Sequence, residues 1–282
     1  MAFLLPDNSR CLLEDHLGNG SDAIVIQRGP HALKVPKIRP TAGLGEAERR
    51  TTGCTSKIAR EILEREKQVY RRIGKCNGVA ECVEIVDEGI VLACYKNVDL
   101  ERYVEREKEV ESFVKTAWIL SAIAALRHLH HVSKVLVFDI APRNFMLADD
   151  MLALKMIDFG QASIFPLDTD NTTVNDEGLT ASVDVFHLGC TIYSIVSWQS
   201  FEQNLANSDW AVPPLEDMPK LDDLGTWGQI IRKCWTCQYH SAEGLYQEAR
   251  ELYPPLASSG SLFPNGWISA AFTFFTTISG LG

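Results

Sequence analysis

The stretch Val135–Gly160 constrains this chain more than any other. It reads as short apolar strands at Val135–Val137, Phe145–Leu147 and Leu152–Ile157, with an Asp149-Asp150 turn between the last two. Between the first two lies Asp139-Ile140-Ala141-Pro142-Arg143-Asn144, and the third runs directly into Asp158-Phe159-Gly160. An Asp and an Asn five residues apart, then an Asp at a strand end, make poor packing residues. They make good oxygen ligands for a divalent cation and its phosphates. Turns between rigid strands give such groups fixed geometry and access to solvent, as catalysis requires.

A chain of 282 residues can bury one large core or two modest lobes. Its 46% apolar and 23% charged content is that of a globular protein, and a net charge of −10 argues against general nucleic-acid binding, which needs a basic face. Eight scattered cysteines with no leading signal peptide predict reduced thiols and a cytoplasmic chain, with the nucleus left open. Cys234-x-x-Cys237 has no second pair, so buried helical thiols are favoured over a zinc or redox site.

Upstream, Leu17-Gly18-Asn19-Gly20-Ser21-Asp22-Ala23-Ile24-Val25 predicts a hairpin with strands at Leu12–Leu17 and Ala23–Gln27. Gly18 and Gly20 would let backbone N–H groups approach an anion, although an ordinary hairpin turn explains them as well. Lys34 sits among apolar neighbours in the next strand, where its plain reading is an edge-strand lysine that discourages aggregation. Pro36–Thr55 reads as a long loop. Ser56–Ile73 reads as a helix with Ile58, Ile62, Val69 and Ile73 as its apolar stripe. Ala80–Val86 and Gly89–Cys94 complete five antiparallel strands, and Tyr95–Val98 is a connector.

Beyond the connector, Leu100–Glu111 and Ser112–His131 are predicted helices, and His128, His130 and His131 suggest either a metal site or, more simply, capping of the second. Asp184-Val185-Phe186-His187-Leu188-Gly189 opens an apolar helix, with Asp184 as an N-cap or a buried anchor. Gln203–Gly225 reads as a linker and Thr226–Tyr253 as helical. The segment after Pro255 carries no charge, and its apolar run falls short of the roughly 20 residues of a membrane span. It reads as a disordered tail, a weak anchor or an artefact of the gene model, without assigned function.

In chain order these pieces resemble the catalytic core of eukaryotic-type protein kinases. Asp139 and Asn144 match D-x-x-x-x-N, and Asp158–Gly160 match D-F-G. Gly18, Gly20 and Val25 match the glycine-rich loop, Lys34 the A-x-K lysine, and Asp184–Gly189 the family's D-x-W-x-L-G. Lys233-Cys234-Trp235 is similar to divergent fungal kinase-like proteins. The departures are Val137-Phe138 in place of His-Arg before Asp139, Ala23 for the third loop glycine, an acid at Asp22, Ala141 where a lysine is usual, and no A-P-E.

The resemblance implies an α+β, bilobal kinase-like fold over residues 12–253. A small antiparallel β-sheet lobe (about 12–95) precedes a larger, mainly helical lobe (about 99–253), with the apolar tail at 254–282. It implies ATP and magnesium as cofactors, with Gly18, Gly20, Val25, Lys34 and Asp99 around the nucleotide and Asn144 and Asp158 on the metal. Asp139 would orient the acceptor hydroxyl, Arg143 would supply charge in place of the missing lysine, and Glu66 would pair with Lys34, with Glu61 as second choice. The partner implied is a protein substrate, serine or threonine by family size, with tyrosine left open by the placement of Arg143. A nucleotide-binding pseudokinase is the alternative, and a small-molecule phosphotransferase is disfavoured by Asp184–Gly189. Loss of the arginine before Asp139 predicts that activation-loop phosphorylation is not the switch.

Overall fold

A computed structural model describes residues 3–5, 10–11, 16–170 and 180–254. The short strands β1 (Phe3–Leu4) and β2 (Arg10–Cys11) pair with each other. They precede β3 (His16–Asn19), β4 (Ala23–Arg28) and β5 (His31–Pro36). Helix α1 (Glu46–Ile73) leads to β6 (Cys82–Ile85) and β7 (Ile90–Ala93). These last five strands form one antiparallel sheet in the order β3-β4-β5-β7-β6. One face of the sheet carries its own small core, in which Phe3 and Cys11 cover Ile24, Ile26, Leu33, Val35 and Val91. Gly89 brings the start of β7 tightly against β5, where a Cβ would lie 2.1 Å from the Lys34 carbonyl oxygen.

The second lobe starts with α2 (Leu100–Arg106) and α3 (Ser112–His128). Strand β8 (Val135–Leu136) pairs with β11 (Ser163–Ile164), and between them β9 (Phe145–Leu147) pairs with β10 (Leu154–Met156). Helices α4 (Ala181–Ser197), α5 (Gly225–Trp235) and α6 (Ala242–Leu252) complete it. Trp118, Phe145, Phe159, Phe186 and Trp235 are its largest fully buried side chains. Gly189 lets α4 and α5 close on each other, since a Cβ there would meet the Cys234 Cβ at 2.6 Å. The arrangement is the bilobal α+β one expected.

Several local expectations are corrected. The predicted loop at Pro36–Thr55 ends early, because α1 begins at Glu46 rather than Ser56. Its first ten residues are almost wholly exposed, so no apolar periodicity marks them. Glu46–Arg50 pairing four apart supports the first turn, and Gly53 is carried inside the helix. The inward face of α1 is Ala59, Leu63, Glu66, Tyr70 and Ile73, whereas Ile58 points to solvent. The helix expected to Glu111 stops at Arg106. The helix expected to His131 gives way after His128 to a single π turn at Leu129–Ser133.

The N-cap of α4 is Thr180, accepting from the Ser182 amide, and Asp184 is buried as the anchor reading expected. Strand β3 is described from His16, and residues 12–15 of the strand expected at Leu12–Leu17 lie outside the described residues. Residues 171–179 of the polar segment after Gly160, and the apolar tail from Pro255, also lie outside the described residues. Among the described residues no helix is long and apolar enough to cross a membrane.

Candidate active site

Antiparallel pairing of β4 and β5 sets Val25 opposite Lys34. Lys34 projects from the sheet toward α1, where Glu66 lies on the inward face. The Lys34 Nζ is 2.8 Å from Glu66 Oε1 and 3.0 Å from Asp158 Oδ1, with Lys34 and Glu66 only 7% and 1% exposed. Burial alone would lower the lysine's pKa. The Glu66 and Asp158 carboxylates outweigh it and leave the ammonium above its ordinary value. Glu66 also accepts from the Phe159 amide at 3.1 Å, so one carboxylate ties the strand lysine to the D-F-G backbone. Glu61, the second choice, lies out on the surface beside Lys57.

Asp158 has a positive φ of 64° and accepts from the Gly160 amide through the same Oδ1. Burial raises its pKa, but Lys34, that amide and Arg143 prevail, so the carboxyl titrates below the ordinary range. Tyr70 and Phe159 meet edge to face at 5.3 Å behind this cluster, and burial, with Glu66 next, pushes the Tyr70 phenol well up.

The loop bearing Asp139 is shaped from below. Asp184, fully buried, accepts from the Val137 amide at 2.8 Å and the Phe138 amide at 2.7 Å. It also bonds His130 Nε2 at 2.8 Å. His130 is thus a partner of Asp184. The two amide bonds hold Phe138 at a φ of 62°, an uncommon conformation for a bulky residue, and its ring packs on Trp210 at 5.8 Å.

Above this bend Asp139 Oδ1 meets Arg143 Nη2 at 2.6 Å, and Asn144 Nδ2 reaches both the Asp139 carbonyl (2.9 Å) and Oδ2 (3.0 Å). Arg143 also pairs with Glu202, a residue that no sequence pattern singled out.

A cavity of about 440 Å³ joins these parts. Gly18, Gly20 and Asp22 line its roof, where the Lys37 ammonium donates to the Gly20 carbonyl at 2.6 Å. Lys34, Glu66 and Asp158 line its back, Asp139 and Arg143 its floor, and Asp99 and Arg102 its rim. Val25, Ala32, Leu92, Met146 and Ile157 supply apolar walls suited to a planar base. Residues of the connector lie alongside, but the Lys96 amide is already taken by Asp149. Asp99 is partly committed as well, since it caps α2 through the Arg102 amide and pairs with that guanidinium. Asn144 belongs to the Asp139 cluster and is not part of the cavity wall.

The donor set fits the nucleotide and magnesium that the resemblance implies. Asp158 leaves Oδ2, and Asn144 its Oδ1, without a hydrogen-bond partner among the described residues, two oxygens of the type magnesium takes. Lys34 lines the same cavity as Gly18 and Gly20. The Cys234 thiol, by contrast, is fully buried against α4.

The family model for the protein kinase domain matches residues 47–210, more than half of the chain. No curated protein matches it.

Proposed function

The chain belongs to the protein kinase domain family. From that premise we propose that it is an active, ATP-dependent protein kinase phosphorylating serine or threonine, with a kinase domain running from about residue 12 to 253. The observation that carries this reading is the convergence of Lys34, Asp158 and Asp139 on one cavity beneath a glycine turn. Those groups come from strand β5, the end of β10 and the loop after β8, and no packing need brings three charges to one space.

Magnesium-bound ATP supplies the phosphoryl group in this reading. The chain's own part is positioning and charge. Lys34, held by Glu66, would present a cation to the phosphates, and Asp158, with Asn144 behind the cavity wall, would hold the metal through oxygen. Asp139, braced by Asn144 and Arg143, orients the acceptor hydroxyl and takes its proton. Arg143 adds positive charge to the cavity floor where Ala141 has none. Asp184 keeps the loop bent with Phe138 packed on Trp210, with no arginine at that position to receive a phosphate, which supports a kinase not switched by activation-loop phosphorylation.

The test is γ-phosphate transfer to a mixed protein substrate with magnesium. Asp139→Asn should lower turnover by about a hundredfold or more while ATP still binds. Transfer unchanged by that substitution would remove Asp139 from the mechanism. The second reading is a nucleotide-binding kinase-like scaffold. Asp22 on the cavity roof favours it, because a carboxylate there opposes phosphates. Magnesium-dependent ATP binding without transfer would select it.

A further inference from the structure

Glu202 stands in the segment after α4, outside every motif. The backbone just before it is built to stay in place. Ser194, buried in α4, donates its hydroxyl to the Phe201 carbonyl at 3.0 Å and accepts from the Phe201 amide at 2.9 Å. The Phe201 ring lies 5.5 Å from that of Tyr193 and 5.8 Å from that of Trp235. This shelf presents the Glu202 carboxylate to Nη1 of Arg143, whose Nη2 holds Asp139 at 2.6 Å. Asn144 takes the other Asp139 oxygen. Three side chains, Glu202, Arg143 and Asp139, therefore run in series from a helix-anchored shelf to the group proposed to aim the nucleophile, with Asn144 on its far oxygen.

We infer that Glu202 is a positioning residue of the transfer site, fixing Arg143 and through it the carboxylate of Asp139. The inference rests on the reading of Asp139 given above. Asp139 and Arg143 are 37% and 39% exposed, and a single ion pair that open to water is loose. A guanidinium gripped on both forks by carboxylates is held in its plane, so Asp139 keeps one rotamer toward the cavity.

The experiment uses the full chain and four variants: Glu202→Ala, Glu202→Gln, Arg143→Ala and the Arg143→Ala/Glu202→Ala pair. The first readout needs no turnover. Nitrogen-detected NMR of the Arg143 guanidinium, assigned by its loss in Arg143→Ala, should show separate Nη signals from slowed rotation, merging into one in Glu202→Ala. The second readout is kinetic. Glu202→Ala should lower kcat about tenfold with KM for ATP within about twofold, and Glu202→Gln, which keeps an acceptor, should recover part of the loss. The double variant should be no worse than Arg143→Ala alone, because both act through one path.

Nη signals that ignore Glu202→Ala, or losses that multiply in the double variant, overturn the inference. A protein that transfers no phosphate, yet whose guanidinium responds to Glu202→Ala, overturns the transferase reading and supports the hold on Arg143.

Discussion

On the lysine side of the cleft, Lys34 and Glu66 are 7% and 1% exposed, and each has its partner fixed by strand β5 or helix α1. On the acceptor side, Asp139 and Arg143 are 37% and 39% exposed and lie on a three-residue turn and the loop before it. The first side is held by desolvated charge, where a missing partner has no water to replace it. The second is held by number of contacts, each weak, on a bend that Asp184 shapes from beneath. Burial makes one wall rigid and costly to alter, and multiplicity makes the other adjustable.

The largest effect that would break this comparison is on the buried side. Glu66→Ala leaves the Lys34 ammonium with Asp158 alone and should cost about 3 kcal/mol of stability in chemical denaturation. A loss no bigger than that at an exposed pair would erase the distinction.

The next effect sharpens it through pH. Asp158 titrates below its ordinary 3.8, so its contribution is complete above that value and is lost as pH falls through the lower, folded-state value. The unfolded chain binds the proton first, so stability falls with acid across that window. Asp158→Asn should therefore flatten the acid limb of the melting temperature plotted against pH, and superimposable limbs would count against the pairing with Lys34.

Smaller still, Arg143→Ala should change stability by about 1 kcal/mol or less, since its ion pairs face solvent. A change of several kcal/mol would make the acceptor side structural. Last, the Tyr70 hydroxyl is buried with no hydrogen-bond partner among the described residues. Tyr70→Phe should be neutral or stabilising by up to about 1 kcal/mol in the same denaturation assay.

Sequence reading found what is local. Asp139 and Asn144 are five apart, Asp158 opens its own tripeptide, and Glu66 is marked by Val69, Tyr70 and Ile73 behind it. The five-stranded sheet was legible because its strands follow one another with turn residues between. The start of α1 was not, because Glu46–Thr55 touches little of the core and so carries no apolar stripe, while Gly53 suggests a break. Ile58 misled for the same reason, being apolar on a face that nothing covers. His130 and Glu202 were illegible for another cause. Their partners, Asp184 and Arg143, lie 54 and 59 residues away, and no local spacing encodes such a pairing.

The carboxylate of Asp184 belongs to a part of the chain synthesised 46 residues after Phe138. Until α4 docks, nothing holds the two amides it receives, and the left-handed turn at Phe138 has no reason to persist. The loop's working curvature is thus a long-range property, set by α4 and not by the residues that do chemistry. A chain cut short before Thr180 would carry the complete set of reactive groups and still lack the shape that brings them to bear.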